Sequence, residues 1–227
     1  MLGTRVGRLV AAHFADPDRL AALGADRFVQ FATDRGVHVS RTVAARLVAA
    51  ARDALPQRGA AAARGVLAAD LALLEVLDGQ IAAAEDALAD LLPATAFQVL
   101  RTVPGWGAVR AANYGAALGD PSRWPGPAQV YRASGLSPAQ YESAGHRRDG
   151  TISREGSVPL RRALIDLGLG LWLHDPAARA YGAALRSRGK KGKVIACAMA
   201  HRANRIAYAM VRDQRAYDPA RWPLQED

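Results

Sequence analysis

Glu142-Ser143-Ala144-Gly145-His146-Arg147-Arg148 sets a hydroxyl among small residues and follows it with cations. A serine so placed could bring its oxygen to a phosphodiester while Arg147 and Arg148 balance the charge that develops there. Spacing alone leaves a second role open, because loop serines commonly cap or turn the backbone. Arg154, Arg161 and Arg162 surround the same segment, only partly offset by the acids Glu142, Asp149 and Glu155. Loop arginines touch phosphate or solvent more often than bases, so base reading does not follow from them. Lys190, Lys191 and Lys193, the only lysines of the chain, fall in Arg188-Gly-Lys-Lys-Gly-Lys193 ahead of an expected helix. Ammonium groups beside glycine-exposed N–H donors suit phosphate, with a solvated basic loop as the alternative.

A third feature is Pro104-Gly105-Trp106-Gly107, between an apolar run and an Ala-rich amphipathic one, which predicts helix, tight hairpin, helix. Gly105 and Gly107 are both expected to tolerate positive φ, leaving N–H groups at the start of the second helix to hold a phosphate. Trp106, Trp124, Tyr131 and Tyr141 lie near these segments and could stack on unpaired bases; core packing is the alternative for at least two of them.

Other chemistries find little support. His13, His38, His146, His174 and His201 are dispersed, no HExxH occurs, and the acids do not alternate with strands as a two-metal nuclease requires. There is no GxxxxGK[ST] loop, and Gly105-Trp-Gly107 lacks the strand that should precede a dinucleotide site. Cys197 is the single cysteine, which excludes an intrachain disulfide or a cysteine-based zinc site and suggests a reducing compartment. No signal-peptide core and no spanning-length apolar run is present, so a cytoplasmic protein without membrane contact is expected. A formal charge of +9 points to an acidic partner, nucleic acid before membrane.

The elements that must position these residues read as all-α, since no strand-period run of useful length is found. Residues 1–58 are expected as a small helical bundle of three or four helices, with Asp18 and Ser40 as N-caps. Residues 59–92 carry Leu67, Leu74, Leu77, Ile81, Ala84, Leu88 and Leu91 at spacings of a long coiled-coil-like helix. That stripe fits a seam between two copies, making a homo-oligomer through 60–92, or an ordinary helix packed on its own chain. Pro93 opens a third region, 93–227, with helices expected at 94–103, 108–118, 127–134, 158–174, 176–187 and 194–215. Between Gly135 and Gly156 a long loop is expected, and long loops in compact domains are often functional.

Taken in order, Val103-Pro-Gly-Trp-Gly107, Gly119-Asp120, Tyr131-Arg-Ala-Ser-Gly-Leu-Ser-Pro138, Ser143, Ile152-Ser-Arg-Glu-Gly156, Leu160-Arg-Arg-Ala-Leu164 and Gly189 through Arg212, ending near Tyr217-Asp218, resemble the C-terminal domain of the IS110 family of insertion-sequence transposases. The likeness covers about 97–218. The bundle and long helix before it resemble the segment that, in this family, links an N-terminal RuvC-like nuclease domain to the C-terminal domain. The resemblance implies a DEDD-type recombinase, in which acids of the nuclease domain bind divalent metal and a serine of the C-terminal domain breaks and joins strands. Counted from the Gly-Leu-x-Pro motif, that serine is Ser143; the glycine that usually follows it stands one place later, as Gly145 behind Ala144.

The resemblance further implies DNA as partner and, as in some relatives, a structured RNA. It also implies that this chain lacks the nuclease domain, so that magnesium is expected only together with that half and no cofactor is bound by the chain itself. The residues expected on nucleic acid are Gly105, Gly107, Arg147, Arg148, Arg154, Arg161, Lys190, Lys191 and Lys193. The alternative is a catalytically inactive DNA- or RNA-binding truncated transposase, acting as a regulator or surviving as a decayed remnant.

Overall fold

The computed structural model describes residues 2–55, 60–143 and 146–221, with the backbone alone described at 60, 139–143, 146–151 and 221. The chain divides into two compact units, Met1–Ala82 and Ala83–Asp227. The first holds α1 (Arg5–His13), α2 (Pro17–Leu23), α3 (Ala25–Thr33) and α4 (Arg41–Arg52), and it includes the start of α5 (Ala60–Leu91). Phe28, Ala32 and Ala44 are fully buried at its centre, with Phe14 edge-on to both Phe28 and Phe31.

Its helix starts follow from side-chain oxygens that take up orphan N–H groups. Ser40 caps α4 as expected, accepting from the Val43 N–H at 3.3 Å. The cap of α2 is Asp16 and not Asp18: its carboxylate accepts from the Asp18 N–H at 3.1 Å. Pro17 explains the shift, since proline fits the first helical position, where its missing N–H is not needed, and this moves Asp18 inside the helix.

The 32-residue α5 stops where Pro93 enters a 3-10 turn, Leu92–Ala94. Within the first unit, Arg8 of α1 pairs with Asp78 of α5. Along the expected seam of α5, Leu77, Ile81 and Leu91 remain 42%, 55% and 67% exposed.

The second unit continues with a 3-10 helix, Ala96–Thr102, then α6 (Ala108–Leu118), a 3-10 turn Pro121–Arg123, α7 (Pro127–Ala133), the strands β1 (Pro138–Ser143) and β2 (His146–Ile152), α8 (Val158–His174), α9 (Pro176–Ser187) and α10 (Gly192–Asp213). The fold class is all-α. Its centre is the packing of α8 on α10, through Leu160, Leu164, Leu167 and Leu171 on one helix and Ile195, Met199, Ala203 and Ala207 on the other, all at most 1% exposed.

The long loop expected at 135–156 is replaced over most of its length by an antiparallel β-arm. Its register sets Ser143 opposite His146, Glu142 opposite Arg147 and Tyr141 opposite Arg148, with an irregularity between Pro138 and Gln140. Gln140-Tyr-Glu-Ser and His-Arg-Arg-Asp-Gly-Thr lack the apolar–polar alternation by which a half-buried strand is read. In a two-stranded ribbon, register comes instead from ladder pairing across a short connection. Among the described residues, no helix is long and apolar enough to cross a membrane.

Candidate nucleic-acid interface

The turn between the 3-10 helix 96–102 and α6 is held by contacts that its sequence only partly announced. Gly105 has φ +80°, which favours glycine, and a Cβ on it would stand 2.4 Å from the Gly170 carbonyl oxygen of α8. A Cβ on Gly170 would stand 2.7 Å from the Gly105 oxygen, so the two glycines together let the turn rest on the helix. Gly107 corrects the expectation made for it: with φ −70° and ψ −179° it is an ordinary extended N-cap of α6. No side chain caps that helix start, so its first N–H groups are left for an external acceptor.

Trp106 is 1% exposed and donates from Nε1 to the Leu167 carbonyl at 2.8 Å. It therefore anchors the turn to α8 and is closed to base stacking. Arg110 adds a bond from Nη1 to the Gly105 carbonyl at 2.9 Å. Trp124 donates to the Leu118 carbonyl at 3.1 Å, and Tyr131 donates to the Cys197 carbonyl, also at 3.1 Å. Burial pushes the Tyr131 hydroxyl well above the usual tyrosine range. The side chain of Tyr141 lies outside the described residues.

The arm grows from a tight crossing at its foot. The ladder is extended below β1 and β2 by Ser153 N–H to the Ser137 carbonyl at 2.9 Å and Arg154 N–H to the Gly135 carbonyl at 3.1 Å. Gly135 and Gly156 have φ +69° and +143°. A Cβ on Gly156 would lie 2.2 Å from the Ala133 oxygen, and one on Gly135 would lie 2.7 Å from the Glu155 oxygen. Arg161, on the first turn of α8, then donates to three backbone carbonyls: Nε to Ser134 at 3.0 Å, and Nη2 to Arg154 at 3.0 Å and Gly156 at 3.4 Å. These acceptors come from both sides of the crossing.

The structure therefore brings the candidate nucleophile Ser143 and, of the residues expected on nucleic acid, Arg147 and Arg148 to the far end of the arm by backbone register, their side chains lying outside the described residues. Arg154, at φ +58°, and Arg161 sit at its foot. At about 3.3 Å per residue, the strand from Pro138 sets Ser143 about 17 Å away from that foot. Lys190, Lys191 and Lys193 are all exposed at the α9–α10 corner, where Gly189 turns with φ +78° and Lys191 is the N-cap of α10. No hydrogen bond or ion pair among the described residues joins these lysines to the turn or to the arm.

Arg110, Gly135, Gly156 and Gly170 were missed by sequence reasoning; glycines bounding both ends of 135–156 were the available signal. A C-terminal strap was missed as well. Gln214 donates to the Ala96 carbonyl at 3.0 Å, and the Tyr217 N–H donates to Thr102 Oγ1 at 2.9 Å. The Tyr217 hydroxyl donates to Asp175 at 3.2 Å, and burial first, then Asp175, pushes its pKa up to about 12. Asp175 in turn caps α9 through the Ala178 N–H at 2.8 Å. No group of three or more His, Cys, Asp or Glu that could hold a metal ion occurs among the described residues.

Residues 97–183 match the family described as transposase IS116/IS110/IS902. The chain is 27% identical over 225 residues to the insertion element IS900 uncharacterized 42 kDa protein of Mycobacterium paratuberculosis, an alignment covering 96% of this chain and 55% of that protein. It is 29% identical over 120 residues to the insertion element IS110 uncharacterized 43.6 kDa protein of Streptomyces coelicolor, covering 53% of this chain and 30% of that protein. The chain thus spans about half the length of the first relative.

Proposed function

We propose that the chain, whose residues 97–183 match the transposase IS116/IS110/IS902 family, belongs to that family of insertion-element transposases, and that its second unit grips DNA for a recombinase and delivers the Ser143 hydroxyl to a phosphodiester. The observation that carries this reading is the mounting of two unlike devices on one helix. Gly170 and Leu167 of α8 seat the Gly105 turn, and Arg161 of the same helix holds the foot of the Ser143 arm. Nine residues apart on a helix means about 13.5 Å along the axis and half a revolution. The turn and the arm are thus fixed on opposite sides of one rigid rod.

In this reading the uncapped start of α6 takes one phosphate, and Lys190, Lys191 and Lys193 take others. Arg147 and Arg148 offset charge at the arm's end while the serine oxygen bonds to phosphorus and a sugar oxygen leaves. Rejoining is the reverse exchange, with a sugar hydroxyl attacking the serine ester. The acids that would hold magnesium are those of a RuvC-like nuclease domain; together with them the cutting site would be composite, the described residues contributing the serine side. A second reading, binding without chemistry by a regulator, asks only for the exposed Lys190, Lys191 and Lys193 at the α9–α10 corner.

Mobility-shift titration with duplex and junction DNA tests the grip. Salt-sensitive binding that weakens in the Lys190→Ala, Lys191→Ala, Lys193→Ala triple variant is expected; absent or salt-independent binding would refute it. A structured-RNA competitor in the same titration shows whether RNA shares the surface. Strand transfer with the nuclease half of a full-length relative supplied in trans separates the two readings. Loss of transfer in Ser143→Ala with binding retained supports the nucleophile, and unchanged transfer removes it.

A further inference from the structure

We propose that Arg161 is a positioning residue that aims the Ser143 arm, and that it is not a phosphate contact. The inference rests on the reading that the arm carries the chemistry. Two of its guanidinium nitrogens already donate to the carbonyls of Ser134, Arg154 and Gly156, at 3.0, 3.0 and 3.4 Å. The first acceptor precedes β1 and the other two follow β2, so one planar side chain ties both strands of the arm to α8.

The foot is narrow because Gly135 and Gly156 cross with no room for a Cβ. Main-chain bonds hold it too, such as Ser157 N–H to the Ala133 carbonyl at 2.8 Å, and Leu136 and Ile152 pack into the core beside it. Ser134, fully buried beside this crossing, uses its own hydroxyl to donate to the Tyr131 carbonyl at 2.6 Å, which leaves its carbonyl for Arg161.

Aim matters because of leverage. A rotation of about 10° at the foot moves a point about 17 Å out by about 3 Å, a whole hydrogen-bond length. Lysine cannot replace the fork, since a single ammonium is a point donor without a fixed plane. Arg162, the neighbouring exposed arginine, makes no side-chain bond among the described residues and serves as the control.

Deuterium exchange on the full chain tests this without DNA. Arg161→Ala is expected to speed amide exchange over 138–152 by about tenfold or more, the size of a lost charge-assisted bond, while α6 and α10 keep their protection. Arg162→Ala should leave both unchanged. In mobility shift, Arg161→Ala should keep its DNA affinity within about twofold and keep its salt slope, where a phosphate contact would lower both. If Arg161→Ala fails to fold, Arg161→Lys and Arg161→Gln carry the same comparison.

Arm exchange unchanged in a folded variant, or acceleration spread evenly over all helices, would overturn the proposal. So would a reduced salt slope with the arm still protected. If the parent chain binds no DNA at all, the grip reading fails while the exchange result still decides the role of Arg161.

Discussion

At Trp106, an indole that sequence placed within reach of a base is closed into the core, and its N–H finds the Leu167 carbonyl 2.8 Å away. Trp106→Phe removes this bond while the helical partner of the carbonyl stays, at a cost of about 0.5–1.5 kcal/mol, and the loss should show in denaturant unfolding. Gly105→Ala is expected to cost at least as much, because φ +80° is unfavourable for alanine and the new Cβ would sit 2.4 Å from a helix carbonyl. Tyr217 gives a pH signature. Its folded pKa of about 12 lies above the ordinary value near 10, so the folded chain keeps a proton that the unfolded chain releases. Stability is full below about pH 10 and falls as pH rises toward 12. Tyr217→Phe should be less stable at pH 8, having lost the bond to Asp175, yet lose less between pH 10 and 12; thermal unfolding across that range checks it.

At the scale of elements, the helices were legible because apolar residues recurred at three and four. Val158–His174 and Pro176–Ser187 fall where that periodicity and the Ser157 and Asp175 caps set them. The arm was not legible, since polar strands paired with each other carry no period-two signal. What did mark it was a glycine at each end. Gly156→Ala would force a Cβ to within 2.2 Å of the Ala133 oxygen, a main-chain atom that cannot swing aside. The arm of that variant should exchange its amides faster even where α8 and α10 stay protected. For α5, the exposed Leu77 and Ile81 give a different expectation. Sedimentation equilibrium should find a self-associating chain, and Leu77→Glu with Ile81→Glu should shift it to monomer, because charge at a seam position opposes association. A parent that stays monomeric at tens of micromolar would rule the seam out.

For the whole molecule, a net charge of +9 states only that a polyanion is favoured. Arginines are spread over both units, among them Arg19, Arg27, Arg41, Arg179 and Arg205, but the three lysines gather at the α9–α10 corner. Each phosphate contact contributes about −0.9 to the slope of log affinity against log salt on duplex DNA, so the triple lysine variant should flatten that slope by up to about three units. Arg161→Ala should not flatten it.

Apolar periodicity determined by itself the helical class, and the order of motifs the resemblance to IS110-family transposases, through which alone Ser143 becomes the candidate nucleophile. That Arg161 is already engaged was decided only by the tertiary structure. Arg161 reads in sequence as one more arginine beside the long loop, and what sets its role is the carbonyls of residues 134, 154 and 156 brought to one guanidinium. The same holds for Gly105 and Gly107, of which one meets α8 and the other does not. Spacing along a chain records what each residue offers; the approach of distant backbone decides which offers are already taken.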